Sequence, residues 1–170
     1  MLTCLQVAPH THPRAAESLF NVAGPPLLAG SFNENGSPYY HGELNVGETV
    51  MLPRGSSHFI ANTGCEPSFT VSAFNADSPG VGFLYSVYSS IDEETISAAF
   101  DGVDMPSADP AKLPATVQIG RDECLAKCGI DRSTYDISNL TGKQLMQGAF
   151  ASYLKSSGYD YSEPWKKSSA

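Results

Sequence analysis

The sequence predicts a mainly β protein that ends in a helical extension. Its 170 residues include 15 Gly and 12 Pro, and only 16% of them are charged. This composition favours a turn-rich β fold over a helical bundle. Short strand patterns fill the first half of the chain and helical patterns follow them, which is the order of a β domain with an added helical segment. Many short strands at this spacing are typical of a jelly-roll sandwich closed into a barrel.

The strand patterns are short apolar or alternating runs, separated by loops rich in Gly, Pro, Asn and Ser. In the clearest of them, Phe69, Val71 and Ala73 alternate with polar residues, as in a strand with one buried face. The predicted strands are residues 2–8, 17–22, 27–30, 49–52, 58–62, 68–74 and 81–84.

Helical patterns follow the strands. Ser90 and Glu93 form a capping-box pattern that opens the first helix, and Gly129 ends the second. The predicted helices are residues 91–100, 122–128 and 142–156. We therefore expect a barrel core over residues 1–90, with abbreviated N-terminal strands, and a helical extension over residues 91–170.

The charge balance excludes two classes of partner. The formal net charge is −8, whereas binding to nucleic acid or to an anionic membrane requires clustered Lys and Arg. The sequence has no run of 18 apolar residues that could span a membrane. We expect a small-molecule substrate, with no nucleic acid and no membrane as partners.

The strongest functional signal is a set of three histidines and one glutamate. His10 and His12 are two residues apart, so on a strand their side chains project from the same face. Glu17 follows within reach of the same point, and His58 is expected to close the set from a neighbouring strand. An isolated His-x-His pair is commonly a surface coincidence, but imidazole nitrogens combined with a carboxylate suit Mn, Fe, Zn, Ni or Cu. The set therefore predicts a metal centre.

The segment around His58 resembles the second motif of the germin branch of the cupin superfamily. That motif runs Gly, five residues, Pro, one residue, Gly, two residues, His, three residues, Asn. Every position is filled here, by Gly47, Pro53, Gly55, His58 and Asn62.

The first germin motif is similar to the segment that carries the other three residues. His10, His12, Glu17 and Gly24 match it, and only its leading Gly departs, because Cys4 stands there. A Gly in that place permits a tight turn. The departure therefore concerns the entry to the strand and leaves the ligand set intact.

This resemblance, which covers residues 1–130, implies a cupin jelly-roll β-barrel with a C-terminal α-helical extension. It implies a metal held by His10, His12, Glu17 and His58, first Mn(II) and then Fe(II). Four protein ligands on an octahedral ion leave two positions open for a small ligand. The expected function is an Mn- or Fe-dependent oxidoreductase or tailoring enzyme acting on a small oxygen-rich molecule, oxalate-like or a secondary metabolite. The alternative is a non-catalytic spherulin-like or storage-like protein. The sequence contains no Gly-rich phosphate loop, so no nucleotide or organic cofactor is expected.

Compartment and assembly follow from the N-terminus and the resemblance. The first residues lack the basic and apolar regions of a secretory signal, so the chain as given is expected to be intracellular. A shortened or mature form of a secreted germin-like protein would instead be extracellular.

Germin-like proteins carry additional strands before the first motif, and without them the exposed sheet edges favour cover by a partner subunit. We therefore expect a homo-oligomer, a dimer or higher, with the C-terminal helices packing across subunits.

The four cysteines, Cys4, Cys65, Cys124 and Cys128, allow three complete pairings. The missing signal favours buried or free thiols over disulfides. A zinc site at the last two is disfavoured, because no nearby Cys or His completes four ligands.

Several other residues are secondary site candidates. Asn62 can hydrogen-bond inside the barrel or stabilise a turn, and His41 is expected in an exposed loop. Phe20, Phe59 and Phe69 can line an apolar cavity, although strand aromatics commonly belong to the core.

Overall fold

The computed structural model describes residue 1, residues 3–101 and residues 117–135. This part of the chain is mainly β, as predicted. The strands are β1 (Leu5–Thr11), β2 (Glu17–Ala23), β3 (Leu27–Phe32), β4 (Tyr40–Leu44), β5 (Thr49–Leu52), β6 (Ser57–Asn62), β7 (Phe69–Phe74), β8 (Gly82–Phe83) and β9 (Val117–Ile119). The helices are α1 (Leu84–Ser89), α2 (Glu93–Ala99) and α3 (Asp122–Cys128).

The strands form two antiparallel sheets that pack face to face. The larger sheet has the order β4-β3-β6-β1-β8, with β9 also paired to β1, and the smaller has the order β5-β2-β7. Aliphatic side chains from both inner faces meet in one core, formed by Leu19, Leu27, Ala29, Leu44, Leu52 and Ile60. Burying these side chains between two sheets is what holds the sandwich of a jelly-roll barrel together.

A β-bulge in β1 sets the positions of the metal-binding candidates. Val7 lies opposite Ile60, but the next registered pair is His10 with His58. A regular ladder would place residue 9 there, so β1 carries one extra residue. That stretch contains Pro9, which has no N–H to donate to the ladder. Because of the bulge, His10 stands directly across from the histidine of the second motif.

The preference for free thiols is wrong, because the cysteines form two disulfides, Cys4–Cys124 and Cys65–Cys128. The two later cysteines are one turn apart on α3, so both thiols face the same way. The pairing of β9 with β1 brings α3 against the start of the first strand. The expectation of free thiols rested on the missing secretory signal, which contains no information about this long-range contact.

Cys4 adopts the left-handed backbone conformation that suits the glycine of the motif at this position. Its φ is +51°, in the left-handed region that Gly occupies readily and other residues rarely. The turn is held by the disulfide to α3 and by a 2.7 Å hydrogen bond from the Gly120 N–H to the Cys4 carbonyl. The tight turn of the motif is thus retained without its glycine.

The other sequence-based assignments differ from the structure mainly at element ends. Strand β4 and helix α1 were not predicted, and the pairing of β9 with β1 was not predicted either. The N-cap of α2 is Asp92, whose carboxylate accepts from the Thr95 N–H at 2.8 Å, and not Ser90. Helix α3 has the predicted bounds and ends at Gly129 in the left-handed conformation. The predicted helix over residues 142–156 lies outside the described residues.

Two further points concern the chain as a whole. The division at residue 90 stays a prediction, and β9, which follows it, pairs with β1. Within the described ranges, none of the helices is long and apolar enough to cross a membrane.

Candidate metal centre

The structure brings all four predicted site residues together inside the barrel. His10 lies on β1, His12 follows the last residue of that strand, Glu17 opens β2, and His58 lies on β6. The histidines therefore come from the larger sheet and the glutamate from the smaller one. The four residues are 2–8% exposed.

The four side chains meet at one point. One donor atom from each, an imidazole nitrogen or a carboxylate oxygen, lies within 4.8 Å of all the others. The imidazole of His10 is in edge contact with both other rings, at centroid distances of 4.9 Å to His12 and 4.3 Å to His58. Among the described residues, this is one of two clusters of possible metal ligands. The other consists of cysteines that are disulfide-bonded.

Backbone carbonyls hold each histidine in one tautomer. The Nδ1 atoms lie 2.7 Å from the carbonyl oxygen of Ala8 for His10, 2.5 Å from that of Gly80 for His12, and 3.0 Å from that of Ser56 for His58. A carbonyl oxygen only accepts, so each Nδ1 carries the proton and donates it. The Nε2 lone pairs are then free for a ligand, as in histidines that bind metals.

The remaining lone pairs favour a cation between them. Nε2 of His58 and Nε2 of His12 lie 3.1 and 3.2 Å from the same oxygen of Glu17, Oε2. With the proton on Nδ1, three acceptors face one another. Two adjacent ligands about 2.1 Å from an octahedral ion are about 3.0 Å apart. The donor set and its spacing therefore fit a divalent metal ion, and the cluster is able to bind one.

The electrostatics of the cluster favour the metal-binding protonation states. Burial opposes ionisation of Glu17, but a hydrogen bond and positive charge from the facing His58, a hydrogen bond to Ser72 and positive charge on His12 outweigh burial and lower its pKa. The two imidazoles act in this way only in their protonated form, and in the neutral form a bound metal ion would have to supply that positive charge. Burial lowers the pKa of His10 and outweighs the hydrogen bond to the Ala8 carbonyl, which raises it. An ionised carboxylate and a neutral imidazole are the forms that ligate.

Two aromatic rings that sequence reasoning missed cover one side of the cluster. Phe74 packs against His12 at a centroid distance of 4.7 Å, and Phe83 packs against His10 at 5.5 Å. The role proposed for Phe20 is wrong, because its side chain lies on the outer face of β2, 38% exposed. Strand alternation could have indicated Phe74, because Phe74 lies opposite Glu17 in the β2–β7 ladder and so projects from the same face of the sheet.

The other secondary candidates serve local structure. The side chain of Asn62 donates to the carbonyl of Glu66 at 2.8 Å and accepts from the Gly64 N–H at 2.9 Å, which is the turn role. His41 is exposed, as predicted, but it lies on β4 and not in a loop, and its ring stacks on Tyr39 at 4.9 Å.

The fold and the site define a class of protein: a cupin barrel whose buried three-histidine, one-glutamate cluster is able to hold a metal ion. The chain belongs to the cupin family, because residues 6–103 match the family model described as Cupin.

Known relatives agree with this assignment. The chain is 34% identical to Spherulin-1B of Physarum polycephalum over 128 residues, which is 74% of this chain and 51% of that protein. It is 39% identical to Germin-like protein 5-1 of Oryza sativa subsp. japonica over 76 residues, which is 45% of this chain and 34% of that protein. A solved structure of oxalate oxidase matches with 29% identity and a TM-score of 0.53, over 56% of this chain and 50% of that one. The chain spans about half the length of the spherulin it matches.

Proposed function

We propose that this protein is a metal-dependent cupin enzyme in which His10, His12, Glu17 and His58 bind Mn(II) or Fe(II). Its substrate is a small oxygen-rich molecule, oxalate-like or a secondary metabolite, and its chemistry is that of an oxidoreductase or tailoring enzyme. The observation that carries the proposal is the set of three imidazoles whose Nδ1 protons are held by backbone carbonyls. The Nε2 atoms of His12 and His58 then face one oxygen of Glu17, and a donor atom of His10 lies within 4.8 Å of all three.

The residues of the chain have distinct tasks in this proposal. The bound ion would supply a Lewis acid or an electron relay. The backbone carbonyls orient the imidazoles, and Ser72 hydrogen-bonds to the Glu17 carboxylate. Phe74 and Phe83 keep water away from one side of the histidine pair. Because Glu17 is a ligand, it is not available as a free general base, so proton transfer falls to the substrate or to bound water.

The comparison with oxalate oxidase supports the choice of substrate class. One such matching structure is described as a complex with the substrate analogue glycolate, a small molecule with two oxygen functions. Two open positions on an octahedral ion suit a ligand of that kind.

A non-catalytic role is the second candidate. The spherulin match extends over 74% of this chain, against 56% for oxalate oxidase, and this favours a spherulin-like protein. A metal-loaded protein that turns over none of the substrates tested below, yet is stabilised by its metal, would support this second candidate over the first.

Metal content is the first test. Elemental analysis of the purified protein should give close to one Mn or Fe per chain. His12→Ala should lose most of it, whereas His41→Ala, a change at an exposed histidine outside the cluster, should retain it. Equal metal content in the two variants would refute the ligand assignment.

Activity is the second test. We would assay peroxide production from oxalate, superoxide removal and turnover of β-dicarbonyl compounds before and after chelation and dialysis. Activity should disappear on chelation and return with Mn(II) or Fe(II). Full activity in the chelated protein, or in a His10→Ala and His58→Ala double variant, would show that the chemistry does not depend on this metal.

We also propose that the protein is a homo-oligomer. On the smaller sheet, Phe20, Met51 and Val71 are 38–64% exposed. Phe20 lies directly across from Val71 in the β2–β7 ladder, and Met51 lies across from Ser18 in the β2–β5 ladder. These side chains share the outer face, and an exposed apolar face of this kind is typical of a subunit contact.

A further inference from the structure

The three histidines of the cluster differ in how their rings are held. Nδ1 of His10 and Nδ1 of His58 each face a carbonyl only two residues earlier in the chain. Nδ1 of His12 instead faces the carbonyl of Gly80, which is 68 residues away. The orientation of the His12 ring therefore depends on where a distant loop is placed.

That loop joins β7 to β8 and consists of residues 75–81. Four of its seven residues are exposed and none is buried. A segment that buries little apolar surface depends on its hydrogen bonds to stay in place. The hydrogen bonds that place Gly80 are therefore the ones that matter for His12.

Arg14 supplies three of the hydrogen bonds that hold this loop. Its backbone N–H donates to the carbonyl of Pro79 at 3.1 Å. Its guanidinium donates twice to Ser78, from Nε to the carbonyl at 2.7 Å and from a terminal nitrogen to the hydroxyl at 3.0 Å. Hydrogen bonds from a charged donor are stronger than neutral ones. Arg14 thus fixes the two residues that lead directly into Gly80.

The guanidinium also packs on Gly80 itself. A Cβ added at Gly80 would lie 2.9–3.0 Å from three guanidinium atoms of Arg14, so the side chain can take this position only because residue 80 is a glycine. The φ of Gly80 is +70°, in the left-handed region that glycine adopts readily. The backbone whose carbonyl faces His12 is therefore in direct contact with Arg14.

We propose that Arg14 is a positioning residue of the metal centre. It holds the 75–81 loop so that the Gly80 carbonyl keeps the His12 ring in the orientation that places Nε2 3.2 Å from Oε2 of Glu17. A guanidinium has no lone pair to offer a metal, so Arg14 acts through the loop and not as a ligand. This inference rests on the proposed function and adds to it a residue that sets how tightly the metal is bound.

The first test follows the imidazole Nδ1–H protons by nuclear magnetic resonance, in the full-length chain without added metal. A proton held by a carbonyl exchanges slowly with water, and local opening speeds its exchange. Arg14→Ala should speed exchange at His12 about tenfold, because two charge-assisted hydrogen bonds to the loop are lost. Arg14→Lys keeps the charge but lacks the fork that reaches both acceptors on Ser78, so it should speed exchange only about threefold. Exchange at His10 and His58 should not change.

Arg54→Ala is the matched control. Nε of Arg54 donates to the carbonyl of Pro13 at 2.9 Å, in the segment that follows His12. The change removes the same charge as Arg14→Ala without removing the hydrogen bonds from Arg14 to the 75–81 loop. Exchange at His12 should stay within about twofold of the parent. Equal acceleration in Arg14→Ala and Arg54→Ala would assign the effect to the lost charge and would overturn the inference.

The second test measures Mn(II) affinity by isothermal titration calorimetry. Changing an outer partner of a metal ligand typically costs 10- to 100-fold in affinity. Arg14 acts one step further from the metal, so Arg14→Ala should lose about tenfold, the lower end of that range, and Arg54→Ala should stay within about twofold of the parent. A role confined to folding would lower the Tm of metal-free Arg14→Ala but leave both exchange at His12 and Mn(II) affinity unchanged, which would overturn the inference.

The results separate this inference from the function on which it rests. Unchanged exchange at His12 in Arg14→Ala, or faster exchange with unchanged Mn(II) affinity, would overturn the inference and leave the metal centre standing. A parent protein that takes up neither Mn(II) nor Fe(II) would overturn the proposed function. The exchange rates, measured without metal, would still decide whether Arg14 places His12.

Discussion

A metal at the candidate centre would join the two sheets of the barrel, and this makes its effect on stability measurable. Three of its ligands belong to the larger sheet, and Glu17 belongs to the smaller one. Glu17→Gln keeps the size of the side chain but removes the charged oxygen that faces His12 and His58. We expect this change to remove most of the stabilisation that Mn(II) gives to the parent protein.

The size of the effect follows from binding linkage. A free ion concentration of about 100 times Kd stabilises the folded state by about 2.7 kcal/mol. For a chain of this size, that corresponds to an increase in Tm of about 5 to 11 °C. Changing only an outer partner of a metal ligand typically costs 10- to 100-fold in affinity, so losing a ligand should cost at least about 100-fold. At the same ion concentration, Glu17→Gln should then gain only about 1 to 2 °C.

The assay is thermal unfolding followed by circular dichroism, with and without Mn(II), at one ion concentration for all proteins. Glu43→Gln is the matched control, because Glu43 is an exposed residue of β4 outside the cluster. It should show the full increase in Tm. The same increase in Glu17→Gln as in the parent would refute the reasoning that Glu17 links the sheets through a metal ion.

Three further predictions concern pH, disulfides and assembly. The pKa values of His10 and Glu17 are both lowered, so protons should compete with the metal for these two residues only at low pH. On acidification, half of the bound Mn(II) should therefore be released below pH 6.5, the ordinary pKa of histidine. Half-release above pH 6.5 would contradict this prediction. Replacing the Cys4–Cys124 pair with serines should lower the free energy of unfolding by about 2 to 4 kcal/mol, measured by urea unfolding, and an unchanged midpoint would show that the disulfide does not stabilise the fold. Light scattering should give at least a dimer at micromolar concentration, and Met51→Lys should shift it towards the 18.1 kDa monomer; a monomeric parent would refute the subunit contact.

The site residues could be predicted from the sequence because each carries a local signal. His10 and His12 stand at strand spacing, and His58 lies in a motif whose five fixed positions are all filled. The spacing alone does not predict the register of β1 against β6. The bulge in β1 inserts one residue between Val7 and His10, and strand alternation contains no information about such an insertion.

The missed features depend on contacts between distant parts of the chain. Strand β9 and the two disulfides arise because residues 117–128 return to the start of the barrel. Local propensity cannot indicate this return, since β9 pairs with β1 more than 100 positions away and the two disulfides join residues 120 and 63 positions apart. Cys4 illustrates the difference. The sequence marks it only as a departure from the glycine of the motif, whereas the fold uses it as a left-handed turn residue that is cross-linked to α3.

The metal centre and the side chains around it carry different kinds of information about function. The cluster of possible metal ligands follows the family motif, and one fold can host unrelated reactions, so the cluster alone cannot select a substrate. Selection has to come from the side chains around the open positions of the metal. In this chain those include the rings of Phe74 and Phe83, which pack against His12 and His10. Phe74 and Phe83, more than the metal-binding residues, are therefore the positions at which we expect a substitution to change which molecule the protein binds.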